Sequence, residues 1–238
     1  MSEIALRRAQ MYAFLSQAFL YPRENWLADI QIPETILEAL GLQIAGLFHE
    51  GYRLLTLEEL QAEHRRVFGL VGSQCYETEF GLPHEFRQSQ ELADLAGFYR
   101  AFGFHMGGRV RERPDHIAVE LEFMYLLCLK EAYAEVHGLR EQVEISRNAQ
   151  AAFLKDHLGT WIEAFAASLL LASGNTSTSE VKLGPYHLLA RLAADFVRND
   201  AGCLGVTIEA RSITKTAPTP HPADLSCEGC PAAEPLRL

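Results

Sequence analysis

The chain has 238 residues, of which 48% are hydrophobic and 22% are charged, and its formal net charge is −10. This length and composition suit one large soluble domain and exclude a chain that is disordered through most of its length. The negative charge disfavours nucleic acid as a partner, because binding a phosphate backbone requires clustered Lys and Arg. No uninterrupted apolar run reaches the length that a bilayer requires, so no membrane insertion is expected.

The first predicted element contains a pair of arginines that resembles an export signal. Arg7 and Arg8 precede AQMYAFLSQAFL, but three polar residues interrupt this apolar run and no small-x-small cleavage site follows it. Four apolar residues fall instead on one helical stripe. They are Ile4, Met11, Leu15 and Ala18. We therefore predict an amphipathic first helix of the folded domain, in a protein that stays in the cytoplasm.

Apolar residues recur at helical spacing in nearly every segment, whereas sustained alternation with period two is absent. The predicted fold class is therefore all-α, with one multi-helix globular domain. The predicted helices span residues 3–20, 33–48, 56–67, 88–102, 114–137, 142–172 and 185–199. Gly103 and Gly138 each follow a predicted helix, as is typical of a C-terminal stop.

Two segments lack the helical period. Residues 68–87 contain Gly, Pro and aromatic residues without regular spacing, and we predict a long connection there. Connections of this length within compact domains are often functional. From about residue 205 the sequence is rich in Pro, Ser, Thr and Ala. We predict that residues 205–238 form a flexible tail after a helical domain of residues 1–204.

The sequence ERPDHIAVELEFM, residues 112–124, joins a rigid Pro-Asp-His corner to an apolar helical face. Pro114 presets the backbone of a first helical turn, and the Asp115 carboxylate suits the unpaired N–H groups of a helix start. The residues predicted to face the core are Ile117, Leu121 and Met124. Local physics therefore favours a structural role for this corner.

A metal or acid–base site is the alternative interpretation of the same stretch. His116 and Glu120 are four residues apart and share a helix face, with Asp115 and Glu122 nearby. However, the chain contains no pair of zinc-binding histidines around a glutamate, no nucleophile elbow and no glycine-rich phosphate loop. We predict a protein without catalytic activity or cofactor. The alternative is a small metal-dependent hydrolase that uses His116 and nearby carboxylates.

The cysteines do not indicate a disulfide framework, because they are five in number and widely spaced. They are Cys75, Cys128, Cys203, Cys227 and Cys230. The last two form one C-x-x-C pair, which supplies only half of a four-coordinate zinc site. We therefore expect solvated thiols in a reducing compartment rather than a metal site.

Five segments, in the order of the predicted helices, share their pattern with a known family. They are YAFLSQAFLYP, YETEF, ELADLAGFYRAFGF, ERPDHIAVELEFM and LLCLKEAYA. Together they resemble the cytoplasmic maturation chaperones of molybdoenzymes, which are the TorD, DmsD and NarJ group of redox-enzyme maturation proteins. The resemblance covers roughly residues 5–200. It implies an all-helical, TorD-like chaperone that binds the N-terminal segment of a client, often a twin-arginine signal, until the molybdenum cofactor is inserted.

The resemblance also implies a site and a partner. In that family the Pro-Asp-His corner belongs to the peptide-binding region. The candidate peptide-binding residues are Pro114, Asp115, His116, Tyr76, Glu77 and Glu120. The implied partner is the apo catalytic subunit of a molybdenum enzyme of the dimethyl sulfoxide reductase superfamily. The Tyr-Glu pair of YETEF is similar to that of chaperones which serve multi-subunit members, such as nitrate, selenate, chlorate or hydrocarbon-oxidising enzymes. A permanent helical subunit of a redox complex is the second alternative.

Overall fold

The computed structural model describes residues 2–41, 54–69, 75–81, 87–105, 112–173 and 183–211. Over these residues the chain forms eight α-helices, two short 3₁₀ helices and no strand. The predicted all-α class is therefore confirmed. Among the same residues, we find no helix that combines the length and the hydropathy needed to span a bilayer.

The α-helices follow one another in the order that the hydrophobic period predicts. They are α1 (Ser2–Phe19), α2 (Gln31–Ala39), α3 (Leu57–Phe68), α4 (Arg87–Ala101), α5 (Ile117–Val136), α6 (Arg140–Asp156), α7 (Leu158–Ser173) and α8 (Pro185–Cys203). The 3₁₀ helices are Trp26–Asp29 and Glu77–Glu79. Predicted boundaries agree with the observed ones to within a few residues for α1, α3, α4, α5 and α8. The helix predicted over residues 33–48 ends earlier than expected, at Ala39, and residues 42–48 lie outside the described residues.

The single helix predicted over residues 142–172 is wrong, because two helices occupy that range. The chain leaves the helical conformation at His157, where φ is −125° and ψ is −104°. Gly159 follows the break, and a Cβ atom at that position would clash with the carbonyl oxygen of Leu154. The apolar period continues across this tight turn, so periodicity alone does not reveal it.

Helix α5 lies at the centre of the molecule and packs against α1 on one side and α6 on the other. Its predicted core residues Ile117, Leu121 and Met124 are fully buried, and so are Phe123 and Leu127. A helix that buries apolar residues around most of its circumference belongs to the interior. Each fully buried side chain of this size contributes about 1.5 to 3 kcal/mol, so α5 anchors the fold and fixes the position of the corner before it.

A buried network of charges holds α1 against α5, α6 and α8. Arg8 is 6% exposed. Its guanidinium donates to Asp200 at 2.5 Å, to Glu131 at 3.0 Å and to Gln150 at 2.5 Å. The paired arginines thus lie within a packed helix, as the amphipathic interpretation predicts. The prediction for Ile4 is wrong: its side chain is 57% exposed, because Ala5 and Arg8 take the inner positions at this end of α1.

The packed part of the chain extends beyond residue 204, where the predicted tail begins. Val206 and Ile208 pack against the core, and the backbone N–H of Arg211 donates to the carbonyl of Thr160 at 2.6 Å. Residues 205–211, called the C-terminal segment below, therefore belong to the folded body. Residues 212–238, which include Cys227 and Cys230, lie outside the described residues.

Candidate functional site

The candidate site is formed by two segments that are distant in sequence. We call residues 112–116 the corner and residues 75–81 the central segment. The backbone N–H of Glu77 donates to the carbonyl of Asp115 at 2.9 Å, and the N–H of Ile117 donates to the carbonyl of Cys75 at 2.8 Å. These bonds flank an isolated antiparallel bridge between Tyr76 and His116. The structure thus brings the two groups of predicted site residues together.

Asp115 has no exposed surface, and its carboxylate is paired within the protein. It accepts hydrogen bonds from the hydroxyl of Thr78 at 2.8 Å and from the guanidinium of Arg113 at 3.0 and 2.8 Å. Both partners lie within the sequence motifs, in YETEF and ERPDH. The Asp115 carboxylate therefore ties the central segment to the corner.

The residue that caps α5 is His116, and the expectation that Asp115 serves the helix start is wrong. The imidazole Nδ1 of His116 accepts a hydrogen bond from the N–H of Ala118 at 3.1 Å. His116 has the extended backbone that a capping residue needs, with φ −76° and ψ 137°. Asp115 lies one residue too early in the chain, and its side chain turns to the central segment instead.

The His116 side chain is neutral near pH 7. Burial lowers its pKa to about 4, and the electrostatic interactions with His64 and Arg113 act in the same direction. A neutral imidazole keeps the Nδ1 lone pair that the cap requires. His116 is thus held in one protonation state by its role in the fold.

Four of the solvent-accessible residues of the site form the surface that we call the corner face. They are Tyr76, Glu112, Arg113 and Pro114. The guanidinium of Arg113 lies 4.4 Å from the centroid of the Tyr76 ring, and this ring meets the imidazole of His116 edge-on at 5.3 Å. Arg113 is exposed, whereas the other three are partly buried. The corner face therefore offers an aromatic ring, a proline and both signs of charge to solvent.

Pro114 is fixed from behind by α4. The hydroxyl of Tyr99 donates to the carbonyl oxygen of Pro114 at 2.7 Å, and Tyr99 is itself buried. Burial also raises the pKa of Tyr76 to about 12, and the nearby Glu112 adds to this effect. Burial raises the pKa of Tyr99 as well, so both phenols stay protonated near neutral pH.

Glu77 and Glu120 lie behind the corner face and are both fully buried. The carboxylate of Glu77 accepts from Arg211 at 2.5 Å and contacts Nδ1 of His157 at 3.3 Å. The indole N–H of Trp161 donates to Glu120 at 3.0 Å. Burial raises the pKa of Glu120 well above its usual range, and the charge of Glu77 adds to it. Neither side chain is open to solvent.

Sequence reasoning missed four partners of the buried carboxylates of Glu77, Asp115 and Glu120. They are Thr78, His157, Trp161 and Arg211. Thr78 lies inside the YETEF motif and could have been found from it. Arg211 follows the last predicted helix in a segment without periodicity, so no sequence pattern connects it to the site.

A metal centre at His116 has little support from the geometry. Within the part of the chain that the structure describes, no three side chains of His, Cys, Asp or Glu are grouped to hold a metal ion. The Nδ1 atom of His116 is already bonded to the backbone of Ala118, and Glu120 bonds to Trp161. These contacts favour the structural interpretation of both residues.

The fold and the corner define an all-helical protein of the TorD-like class, and comparison with known proteins agrees. Residues 34–167 match the model of a family described as the nitrate reductase delta subunit. The chain belongs to this family, and the resemblance found in the sequence is thereby confirmed.

Individual relatives include several proteins named as chaperones. The chain is 30% identical over 185 residues to the chlorate reductase assembly chaperone protein of Ideonella dechloratans, which covers 74% of this chain and 82% of that protein. It is 35% identical over 119 residues to the selenate reductase assembly chaperone protein of Thauera selenatis, covering 48% and 60% respectively. It is 29% identical over 123 residues to the chaperone protein TorD of Vibrio cholerae, covering 52% and 50%.

Proposed function

We propose that this chain is a chaperone that assembles the catalytic subunit of a molybdenum enzyme of the dimethyl sulfoxide reductase superfamily. It binds the apo subunit in the cytoplasm, through its N-terminal segment, until the molybdenum cofactor is inserted. The observation that carries this proposal is the similarity over 82% of the length of a relative named as an assembly chaperone. From the same similarity we infer that the client belongs to a multi-subunit enzyme.

The proposed binding surface is the corner face. A client segment with arginines and apolar residues needs an exposed ring or proline for its apolar side chains and a carboxylate for its guanidinium groups. Tyr76, Pro114 and Glu112 supply these groups on one partly exposed surface. A hydrogen bond to a charged group contributes about 1.5 to 3 kcal/mol when water is excluded. We assign these three residues to direct contact.

The remaining candidate residues are assigned a supporting role in this proposal. Asp115, His116, Glu77 and Glu120 are at most 6% exposed. Their polar atoms bond to Thr78, Arg113, Ala118, Arg211 and Trp161. Within the proposal they hold the shape of the corner, and a client arginine is bound by Glu112 instead of Asp115.

The proposal also separates the chain from its two alternatives. A chaperone has no catalytic activity, whereas a hydrolase would need His116 as a ligand or a base, and its Nδ1 is engaged in the helix cap. A permanent subunit of a redox complex would remain bound after cofactor insertion. A chaperone releases the mature enzyme.

Affinity capture from the native host tests this function. Cells are grown with and without molybdate, the tagged protein is captured, and bound subunits are identified and assayed for cofactor. We expect the catalytic subunit to be captured in its cofactor-free form and in larger amounts without molybdate. Equal capture of cofactor-loaded enzyme would favour the permanent subunit and overturn the proposal.

Two tyrosine variants test the location of the surface. Tyr76→Ala should reduce the captured amount. Tyr133→Ala should leave it unchanged, because this tyrosine is 61% exposed and stacks on His137 away from the corner. Equal effects of the two changes would remove the corner face from the binding site.

A further inference from the structure

The C-terminal segment reaches the back of the central segment through one side chain. The guanidinium of Arg211 donates to Glu77 at 2.5 Å and lies 3.0 Å from the carboxylate of Glu91 on α4. Its side chain is 16% exposed, and its backbone N–H donates to Thr160 on α7. One residue thus links the central segment, α4 and α7.

The C-terminal segment is docked by its shape as well as by Arg211. The chain turns after α8 at Gly205, where φ is +70°, and the N–H of Val206 donates to the carbonyl of Ala201 at 2.8 Å. Ile208 packs against the first turn of α7, where a Cβ atom at Gly159 would lie 2.8 Å from its Cδ1 atom. This close approach fixes the path of the segment toward Glu77.

Glu77 needs the charge of Arg211 because it has no access to water. A buried carboxylate that loses its cationic partner is strongly unfavourable and must either take up a proton or move toward solvent. After the loss of Arg211, the side chain of His157 is still in contact with Glu77, at 3.3 Å, but it carries a charge only when protonated. The backbone N–H of Glu77 carries one of the bonds that join the central segment to the corner. Movement of Glu77 therefore loosens the bridge that presents Tyr76.

We propose that Arg211 is a positioning residue of the binding site, which ties the central segment to α4 and α7, so keeps it against the corner and sets the affinity for the client segment. The proposal rests on the function proposed above, since it concerns the same surface. It makes the C-terminal segment part of the site, although no residue of this segment contacts the client. The clamp consists of Arg211 together with Glu77.

Hydrogen exchange tests the clamp without any client. In Arg211→Ala, the amides of Glu77 and Ile117 should exchange about tenfold faster or more, because opening the bridge no longer requires breaking the ion pair. Amides in the middle of α8 should keep their rates. The matched control is Arg198→Ala, which removes an arginine that also pairs with two carboxylates, Glu163 and Asp195, but on an exposed surface. Unchanged exchange at Glu77 and Ile117 would overturn the clamp.

Two further variants keep the test decisive. Adding Glu77→Gln to Arg211→Ala removes the uncompensated charge and should restore much of the protection at Ile117. Arg211→Lys retains the charge but cannot bridge both carboxylates as the planar guanidinium does, so it should give an intermediate rate. If the alanine variant does not fold, the lysine variant provides the exchange measurement. A double variant that exchanges as fast as the single one would contradict the charge argument.

Binding is measured with a synthetic peptide that has the N-terminal sequence of the captured catalytic subunit. Titration calorimetry should give about fivefold weaker affinity or more for Arg211→Ala, and no change for Arg198→Ala. Faster exchange with unchanged affinity would overturn the positioning role. In that case Tyr76→Ala distinguishes the two proposals. If this variant binds the peptide more weakly than wild type, only the clamp is wrong. If it has no effect either, the corner face itself is not the binding surface.

Discussion

Burial gives neighbouring side chains very different roles in this protein. Arg7 pairs with the exposed Glu3 on the surface, where solvent screens the interaction. Arg8, the next residue, lies among Asp200, Glu131 and Gln150 in the interior. Removing one partner from such a buried group typically costs about 3 to 5 kcal/mol. The second arginine of this pair is therefore a structural residue of the helix bundle.

His116 makes the stability of the fold depend on pH. Its pKa is about 4 in the folded protein and about 6.5 in an unfolded chain. Between these values the unfolded chain binds more protons, so stability decreases as the pH is lowered from about 6.5 to about 4. The loss from this residue is at most about 3 kcal/mol. Urea unfolding of wild type at a series of pH values measures it.

The variant His116→Asn is the matched comparison for this prediction. The amide oxygen of asparagine can accept the cap bond from Ala118 but does not titrate in this range. The pH dependence over the window should therefore be shallower in the variant, with stability near pH 7 little changed. Other groups with shifted pKa values, such as Glu91 and His187, are present in both proteins and cancel in the difference. If stability depended on pH equally in the two proteins, the pH dependence would not come from His116.

The helices and segments around the corner are held together by contacts between residues that are far apart in sequence. The break at His157 places its imidazole against Glu77, and the C-terminal segment places Arg211 on the other side of the same carboxylate. The central segment, the break between α6 and α7, and the C-terminal segment thus meet behind the corner. Removing one of these contacts should weaken the others.

Two shortened chains test the contribution of the C-terminal segment. A chain that ends at residue 204 loses the apolar contacts of Val206 and Ile208 and leaves Glu77 buried without Arg211. We expect it to be about 3 to 5 kcal/mol less stable, the usual cost of breaking a buried ion pair. A chain that ends at residue 214 keeps these contacts and should match the full chain. The measurement is chemical unfolding of all three proteins. Equal stability of the two shortened chains would show that the segment contributes nothing.

Hydrophobic periodicity predicted most of this fold, because each helix carries its own apolar face in its own sequence. The buried residues Ile117, Leu121 and Met124 are an example. Periodicity did not predict the break at His157, since the apolar face continues through it. Nor did it predict Arg211, since an ion pair between residues 77 and 211 leaves no local pattern.

For the candidate site, the residue types in the sequence indicated where the site lies better than they indicated what each side chain does. The corner and the central segment were predicted together from their motifs, and the structure places them in contact through Tyr76 and His116. Whether a carboxylate faces solvent or a buried arginine depends on tertiary packing, which the sequence around Asp115 and Glu77 does not encode locally. Their internal partners therefore had to come from the structure.

The protein as a single body combines one hydrophobic core with an overall charge of −10. Family membership over residues 34–167 covers α3 to α6 completely and includes both the corner and the central segment. The C-terminal segment lies outside that matched range.

The net charge predicts how ionic strength affects association with a basic segment. A negative protein raises the local concentration of a positive peptide, and salt screens this attraction because the Debye length falls from about 30 Å at 0.01 M to about 3 Å at 1 M. For a peptide with two arginines, stopped-flow association should slow about tenfold or less across this range, while dissociation changes little. The matched control is the same peptide with both arginines replaced by glutamine, whose association should be nearly independent of salt. Equal salt dependence of the two peptides would show that their charges do not steer the encounter, and recognition would then depend on the apolar part of the corner face alone.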